Sequence, residues 1–268
     1  MNIISIIGCG WFGFPLASHL VRQGFHVKAS KRKVEDLIPL QQQGIEAIQL
    51  DLANVSAQVS RTGLFDSDAI VINIPPGLRR GGSDYLLYLT RLKQLIGTRQ
   101  YQKVIFISTT GVYPSLDHTV TEADATAFND ASATLLEAES MFATMPNSCI
   151  VRFSGLIGPK RHPGRFFAGK VDVSGANVAV NLVHLDDCVN AVSLILSGRD
   201  TQPVYNLAAP IHPTRGEFYV IASQHLGLPP PEFNQQQQPS KTIDGQLICQ
   251  DLGFEYRHPD PIKMLDAC

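Results

Sequence analysis

The stretch from Ile3 to Leu20, IISIIGCGWFGFPLASHL, constrains this chain more than any other. A β-branched run, Ile3-Ile4-Ser5-Ile6-Ile7, leads directly into Gly8-Cys9-Gly10-Trp11-Phe12-Gly13, and apolar residues then recur at helical spacing at Leu16, Ala17, Leu20 and Val21. That order is strand, tight turn, helix. The three glycines serve three ends: Gly8 turns the chain sharply, Gly10 lets a pyrophosphate reach the backbone, and Gly13 lets helix and strand pack closely. Pro15 fits a helix that has only just begun. A helix N-terminus offers N–H groups and a positive dipole end to an anion. Alone, GxGxxG also describes a glycine-rich turn that binds nothing. Between a strand and a helix at the head of an alternating chain it points to dinucleotide binding through Gly8, Gly10, Trp11, Phe12 and Gly13.

The alternation continues. Gly24 closes the first helix, and residues 25–30 read as a second strand. Its tip carries Ser30-Lys31-Arg32-Lys33, with no acid until Glu35. An NAD-preferring fold places Asp or Glu there for the adenosine ribose 2′-OH. Cations suit a 2′-phosphate, so NADP is expected in preference to NAD, with a solvated basic loop as the plainer alternative. A polar helix at 34–43 leads to a third strand at 45–50 and to Asp51-Leu52, where the carboxylate either faces the adenine amino group or caps the turn. The near-continuous apolar run 69–74 reads as a central parallel strand buried on both faces. Pro75-Pro76-Gly77 ends it, and loops beyond carboxyl strand ends are where ligands bind in open α/β sheets. Ile74, Pro75 and Pro76 therefore join the expected cofactor set. Arg79-Arg80 either clamp an anionic substrate group or are simply solvated.

A helix at 83–96 returns the chain to a fifth strand at 103–107, which opens into Ser108-Thr109-Thr110-Gly111-Val112-Tyr113. Hydroxyls at that strand end either bond a reacting oxygen or cap the turn. Beyond lie a helix within 126–145, a sixth strand at 148–153, a short strand at 178–182, and a cap at 184–188 before a helix at 189–196. A strand at 204–207, a helix at 214–226 and an exposed Pro- and Gln-rich loop follow. The expected architecture is α/β, a doubly wound parallel sheet over residues 1–152. Residues 153–268 complete it and form a smaller substrate-binding lobe.

With 268 residues, 44% hydrophobic and 17% charged, the chain can bury a large core. A net charge of −2 with no long basic tract makes nucleic acid and membrane surfaces poor partners. No apolar run approaches the ~18–20 residues of a membrane span, and a cytoplasmic location is expected. The five cysteines are dispersed without a CxxC pair, which suggests neither a disulfide framework nor a zinc site.

Four blocks together resemble the extended or atypical short-chain dehydrogenase/reductases, a family of Rossmann folds that includes NAD-dependent epimerase/dehydratases. They are the glycine turn with its basic strand tip, residues 106–113, residues 151–159 (VRFSGLIGP) and residues 181–187 (NLVHLDD). Ser240-Lys241 and Leu252-Gly253-Phe254 also resemble sugar-nucleotide epimerase-like members. The resemblance implies a sugar-nucleotide or other small polar carbonyl or hydroxyl substrate, Ser108 beside the cofactor, Thr109 as the catalytic Ser/Thr, and a homodimer through the helices flanking the fourth and fifth strands. The family's general acid/base is a Tyr-x-x-x-Lys pair on one helix face, and this sequence has none. Ala131 and Leu135 align there, and losing such a group removes about 10²–10⁴-fold of catalysis. Either an oxidoreductase or epimerase with another proton-moving group, or an NADP-binding sensor without catalysis, satisfies these observations.

Overall fold

The computed structural model describes residues 1–56, 59, 62–77, 84–198 and 200–268. The expected Arg79-Arg80 clamp lies outside the described residues. Seven strands form one parallel sheet: β1 (Ile3–Ile7), β2 (His26–Lys31), β3 (Glu46–Gln49), β4 (Ala69–Ile72), β5 (Lys103–Thr109), β7 (Ser148–Phe153) and β10 (Val204–Leu207). Their order is β10-β7-β5-β4-β1-β2-β3. The order reverses at β1, so β1 and β4 are neighbours with a crevice at their carboxyl ends, as in doubly wound folds. Helices α1 (Gly13–Arg22), α3 (Tyr85–Ile96), α4 (Asp130–Ala143) and α5 (Leu185–Ser197) connect them, with a short α2 (Ile38–Gln41).

Two parallel strand pairs stand outside this sheet. β6 (His118–Val120) pairs with β11 (Lys241–Ile243), and β8 (Gly155–Ile157) pairs with β9 (Leu182–His184). Helices α6 (Arg215–His225) and α7 (Leu247–Leu252) belong to the same later part of the chain.

The chain divides into two compact units, each drawn from three segments. The first comprises Met1–Ser108, Asn129–Val151 and Val192–Val204; the second comprises Thr109–Phe128, Arg152–Ala191 and Tyr205–Cys268. In the first, Ile7, Ile70, Ile72, Leu89, Leu92, Phe106 and Phe142 form a continuous core, with the Phe106 and Phe142 rings stacked 4.8 Å apart. In the second, Ile157, Leu182, Phe218, Ala222, Met264 and Leu265 do the same. No helix of the described residues is long and apolar enough to cross a membrane.

Several elements differ from the sequence reading for identifiable reasons. The polar helix expected at 34–43 is a 3₁₀ turn at Val34–Asp36 followed by the four residues of α2. Pro39 sits in the first turn of α2, and a helix running through it from residue 34 would lose a hydrogen bond and meet the proline ring. β4 stops at Ile72: Asn73 N–H still donates to the Ile7 carbonyl and its side chain to the Gly8 carbonyl, and Pro75 and Pro76 then have no N–H to extend a ladder. Residues 178–181 are not a strand. Val180 N–H bonds the Pro213 carbonyl and Arg215 N–H the Val178 carbonyl, a single antiparallel bridge of Ala179 with Thr214, while Ala179 N–H goes to Ser240 Oγ; the β8–β9 pairing begins at Leu182. The cap expected at 184–188 is largely helix already, since α5 starts at Leu185.

Candidate functional site

The start of the glycine turn is held from two sides, by Ser30 and by Asn73. Gly8 has φ +91°, and a Cβ there would lie 2.3 Å from the Asn73 carbonyl oxygen. Asn73 Nδ2 donates to the Gly8 carbonyl at 3.0 Å, while Gly8 N–H donates to Ser30 Oγ at 3.0 Å and Cys9 N–H to the Ser30 carbonyl at 2.9 Å. A Cβ on Gly13 would lie 2.8 Å from the Gly8 carbonyl oxygen, so glycine lets α1 press onto the end of β1. Gly10 differs: it is exposed, its φ lies outside the left-handed region, and a Cβ there would meet nothing within 4 Å. Nothing in the chain itself requires glycine at 10, whereas a ligand approaching the backbone would.

The start of α1 is fitted for an anion. Its N-cap, Phe12, supplies no side-chain acceptor and its first turn contains no acid, while His19 and Arg22 occupy the last turn. The Phe12 side chain is buried in the core, Trp11 is half-buried and Gly10 is exposed. The Cys9 thiol is buried, which pushes its pKa up to about 12, while the nearby charge of Lys31 pulls it the other way. That thiol is inert, and the cation of Lys31 is felt at the glycine turn.

Arg32 and Lys33 are exposed beyond β2 and line an open cavity of about 450 Å³ with Glu35, Gln49, Asp51 and Ala53. Lys33 pairs with Glu35 at 3.5 Å. Asp51 Oδ1 accepts from Ala53 N–H at 3.0 Å, so that carboxylate caps its own turn. Leu52 is buried, and its carbonyl and that of Ala53 accept from Arg91 Nη1 at 2.7 and 2.9 Å. Ile74 and Pro76 are half-buried and Pro75 exposed, directly after Asn73. Ser108, buried at the end of β5, donates to Glu139 Oε1 at 2.5 Å. Burial, reinforced by the charge of Glu139, pushes the Tyr85 phenol well above its usual value. The structure thus gathers Gly8, Gly10, Gly13, Ser30 and Lys31 about one turn, but engages Ser30 and Ser108 inside the protein. Asn73, Arg91 and Glu139 were not anticipated: Asn73 is a single polar residue in an apolar run, and Arg91 and Glu139 sit among other polar residues of α3 and α4 with nothing local to mark their partners.

In the second unit, Thr109 is half-exposed and its Oγ1 accepts from Gly111 N–H at 3.3 Å, which leaves its own O–H free to donate elsewhere. Tyr113 is fully buried and cannot serve as a base. Its hydroxyl donates to Asn206 Oδ1 at 2.6 Å and accepts from Arg152 Nη1 at 2.7 Å, and burial pushes its pKa up. Glu122 joins this network by accepting from Asn206 N–H at 2.8 Å, and burial pushes its carboxyl up. Lys241 bonds the carbonyls of Tyr113 and Thr110, so β11 braces the turn that carries Thr109; burial lowers the pKa of its amine. His184 is a buried, neutral cap: Nε2 donates to the Ala267 carbonyl and Nδ1 accepts from Asp186 N–H, both at 3.2 Å, and burial lowers its pKa.

No family model matches the chain. Protein YeeZ of Escherichia coli K12 is 36% identical over 274 aligned residues, covering 98% of this chain and 99% of YeeZ. The chain belongs to the YeeZ family. Its fold is that of the extended short-chain dehydrogenase/reductases, shared with three solved structures. A conserved protein of unknown function from Silicibacter pomeroyi matches with TM-score 0.79 at 19% identity, over 100% of this chain and 99% of that one. MoeE5, bound to UDP-glucose and NAD, matches with TM-score 0.77 at 21% identity, over 100% and 97%. The UDP-glucuronic acid 4-epimerase of Bacillus cereus, bound to UDP-glucuronic acid and NAD, matches with TM-score 0.79 at 17% identity, over 100% and 97%. Ala131 and Leu135, expected at the Tyr-x-x-x-Lys positions, lie on α4 of this YeeZ-family chain, Ala131 exposed in its first turn and Leu135 buried.

Two outcomes follow for stability. Gly8→Ala is expected to cost about 3 kcal/mol or more, since both backbone strain and the Asn73 carbonyl oppose it, whereas Gly10→Ala should stay within about 0.5 kcal/mol; urea denaturation measures both. Burial raises the pKa of the Glu122 carboxyl above its ordinary 4.5, so its burden on stability grows as pH rises from that value. Glu122→Gln keeps an acceptor for Asn206 N–H, and its melting temperature should gain on that of the parent as pH rises above 4.5.

Proposed function

We propose that this chain is an NADP-dependent oxidoreductase or epimerase acting on a small polar, sugar-nucleotide substrate. The observation that carries the reading is the open space above Gly10, next to an α1 N-terminus with no acid and no side-chain cap. A pyrophosphate fits there, since it needs close backbone approach and unopposed N–H donors. Gly8, Gly10, Trp11, Phe12 and Gly13 would hold the pyrophosphate, the first and last by shaping the turn. Lys31 and Arg32 would take the ribose 2′-phosphate, with Asp51 and Leu52 beside the adenine, and Ile74, Pro75, Pro76 and Ser108 along the rest of the cofactor. Ser30 acts indirectly, by fixing Gly8 and Cys9.

The cofactor supplies or accepts a hydride when bound. The chain's part is to hold the substrate and move a proton. Thr109 is assigned to orient the reacting oxygen, because its hydroxyl hydrogen is available and its turn is braced by Lys241. In the second unit Phe166, Phe167, Tyr219 and Phe233 form a ring cluster, with Lys170 over both phenylalanines and Arg215 over Phe167. Phe166 is 58% exposed. Exposed rings flanked by cations suit a nucleobase and its phosphates. MoeE5 and the Bacillus cereus epimerase bind such substrates with NAD, which supports the class. A homodimer through α3 and α4 completes the reading and is checked by light scattering.

Fluorescence titration of the purified chain should show NADPH bound more tightly than NADH. Arg32→Glu should weaken NADPH about tenfold or more and NADH far less, and Gly10→Val should weaken both while the fold survives. Nicotinamide turnover is then assayed across carbonyl and nucleotide-sugar substrates. Preference for NADH would overturn the role of Lys31 and Arg32, and tight NADPH binding without turnover on any substrate would favour a sensor.

A further inference from the structure

Among the described residues, His184, Asp186 and His258 bring one nitrogen or oxygen each to within 4.8 Å of one another. His184 Nδ1 lies 3.8 Å and His258 Nε2 3.4 Å from the same oxygen, Asp186 Oδ2, and the two imidazole rings are 4.0 Å apart. Three ligands at about 2.0–2.2 Å on a tetrahedral centre stand about 3.4 Å from each other, so small side-chain movements would close this set on an ion.

The supporting contacts point the same way. His184 Nε2–H is committed to the Ala267 carbonyl, which fixes the tautomer and turns the Nδ1 lone pair toward Asp186. A backbone carbonyl on the far nitrogen is the usual support for a metal-binding imidazole. Asp187, adjacent to Asp186, accepts from the backbone N–H groups of Arg257 at 2.7 Å and His258 at 3.1 Å, so it sets the segment from which His258 reaches in. Two contacts would yield to an ion. Asp186 N–H now occupies the Nδ1 lone pair at 3.2 Å, and Arg257 Nη1 lies 3.4 Å from Asp186 Oδ2. The arginine side chain is 69% exposed and can turn into water.

We propose that His184 Nδ1, Asp186 Oδ2 and His258 Nε2 form a binding site for a divalent transition-metal ion of the zinc type, with the fourth position open to water. Two imidazoles and a carboxylate are a donor set that zinc accepts with three protein ligands. The ion would join the start of α5 to the 257–258 segment and, through His184, to the last turn of the chain. This site is independent of the cofactor reading.

The full-length chain, stripped with EDTA, is titrated with zinc chloride by calorimetry and with cobalt chloride by visible absorption. One equivalent of zinc, an intense tetrahedral cobalt band and a zinc-dependent rise in melting temperature are expected. Asp186→Asn and His258→Gln should each weaken zinc by about tenfold or more and abolish the cobalt band. Both are partly exposed positions, and circular dichroism checks that the variants are folded. His26→Gln, at an exposed histidine paired with Glu46 in the other unit, should change none of these. No saturable uptake, or uptake that both site variants leave unchanged, overturns the site.

Discussion

The exchange of hydrogen bonds between Gly8, Ser30 and Asn73 is what the first unit is built to permit. Three consecutive neighbours in the sheet, β2, β1 and β4, contribute one group each at their carboxyl ends, and the glycine turn is stretched between them. The fit is too close for any Cβ at Gly8 or Gly13. Burial supplies the force: β1 and β4 are almost wholly inaccessible, so their register is set by packing and the turn has no slack to take up. A site formed in this way is rigid before any ligand arrives, which is the condition under which backbone N–H groups bind an anion at little reorganisation cost.

The second unit is organised by polar groups instead. Tyr113, Arg152, Glu122 and Asn206 satisfy one another in the interior, and Lys241 and Asp244 attach the 241–244 segment to them. Such networks specify one arrangement, because each missing partner would leave a desolvated group unpaired. The consequence for chemistry is restrictive: the Tyr113 phenol, the one tyrosine near Thr109 in sequence, is fully occupied.

Periodicity made much of the first unit legible. β1 is an apolar β-branched run ending in turn residues, β7 and β10 span the residues read as strands, and α1 begins where Gly13 and Pro15 require. Local pattern failed where a long-range contact decided the outcome. Asn73 reads as part of a strand and is in fact a latch on a loop 65 residues earlier. Ser30 reads as ligand-facing, and its Oγ also accepts from Gly8 N–H, a contact that no local pattern announces. β6 and β11 pair across more than a hundred residues, and no three-residue segment announces such a partner. His184 and Asp186 were legible as a cap, but the arrival of His258 beside them was not, because nothing local to residue 258 encodes it.

Leu135 limits which charges this face of α4 can accept. It is 6% exposed, while Ala131 one turn earlier is exposed to water. A tyrosine at 131 would be accommodated, but an ammonium at 135 would have to shed its hydration with no water to replace it. Placing a Tyr-x-x-x-Lys pair on this face of α4 would therefore require the helix to be repacked first, and the buried seam at Leu135 bars a cation from that position.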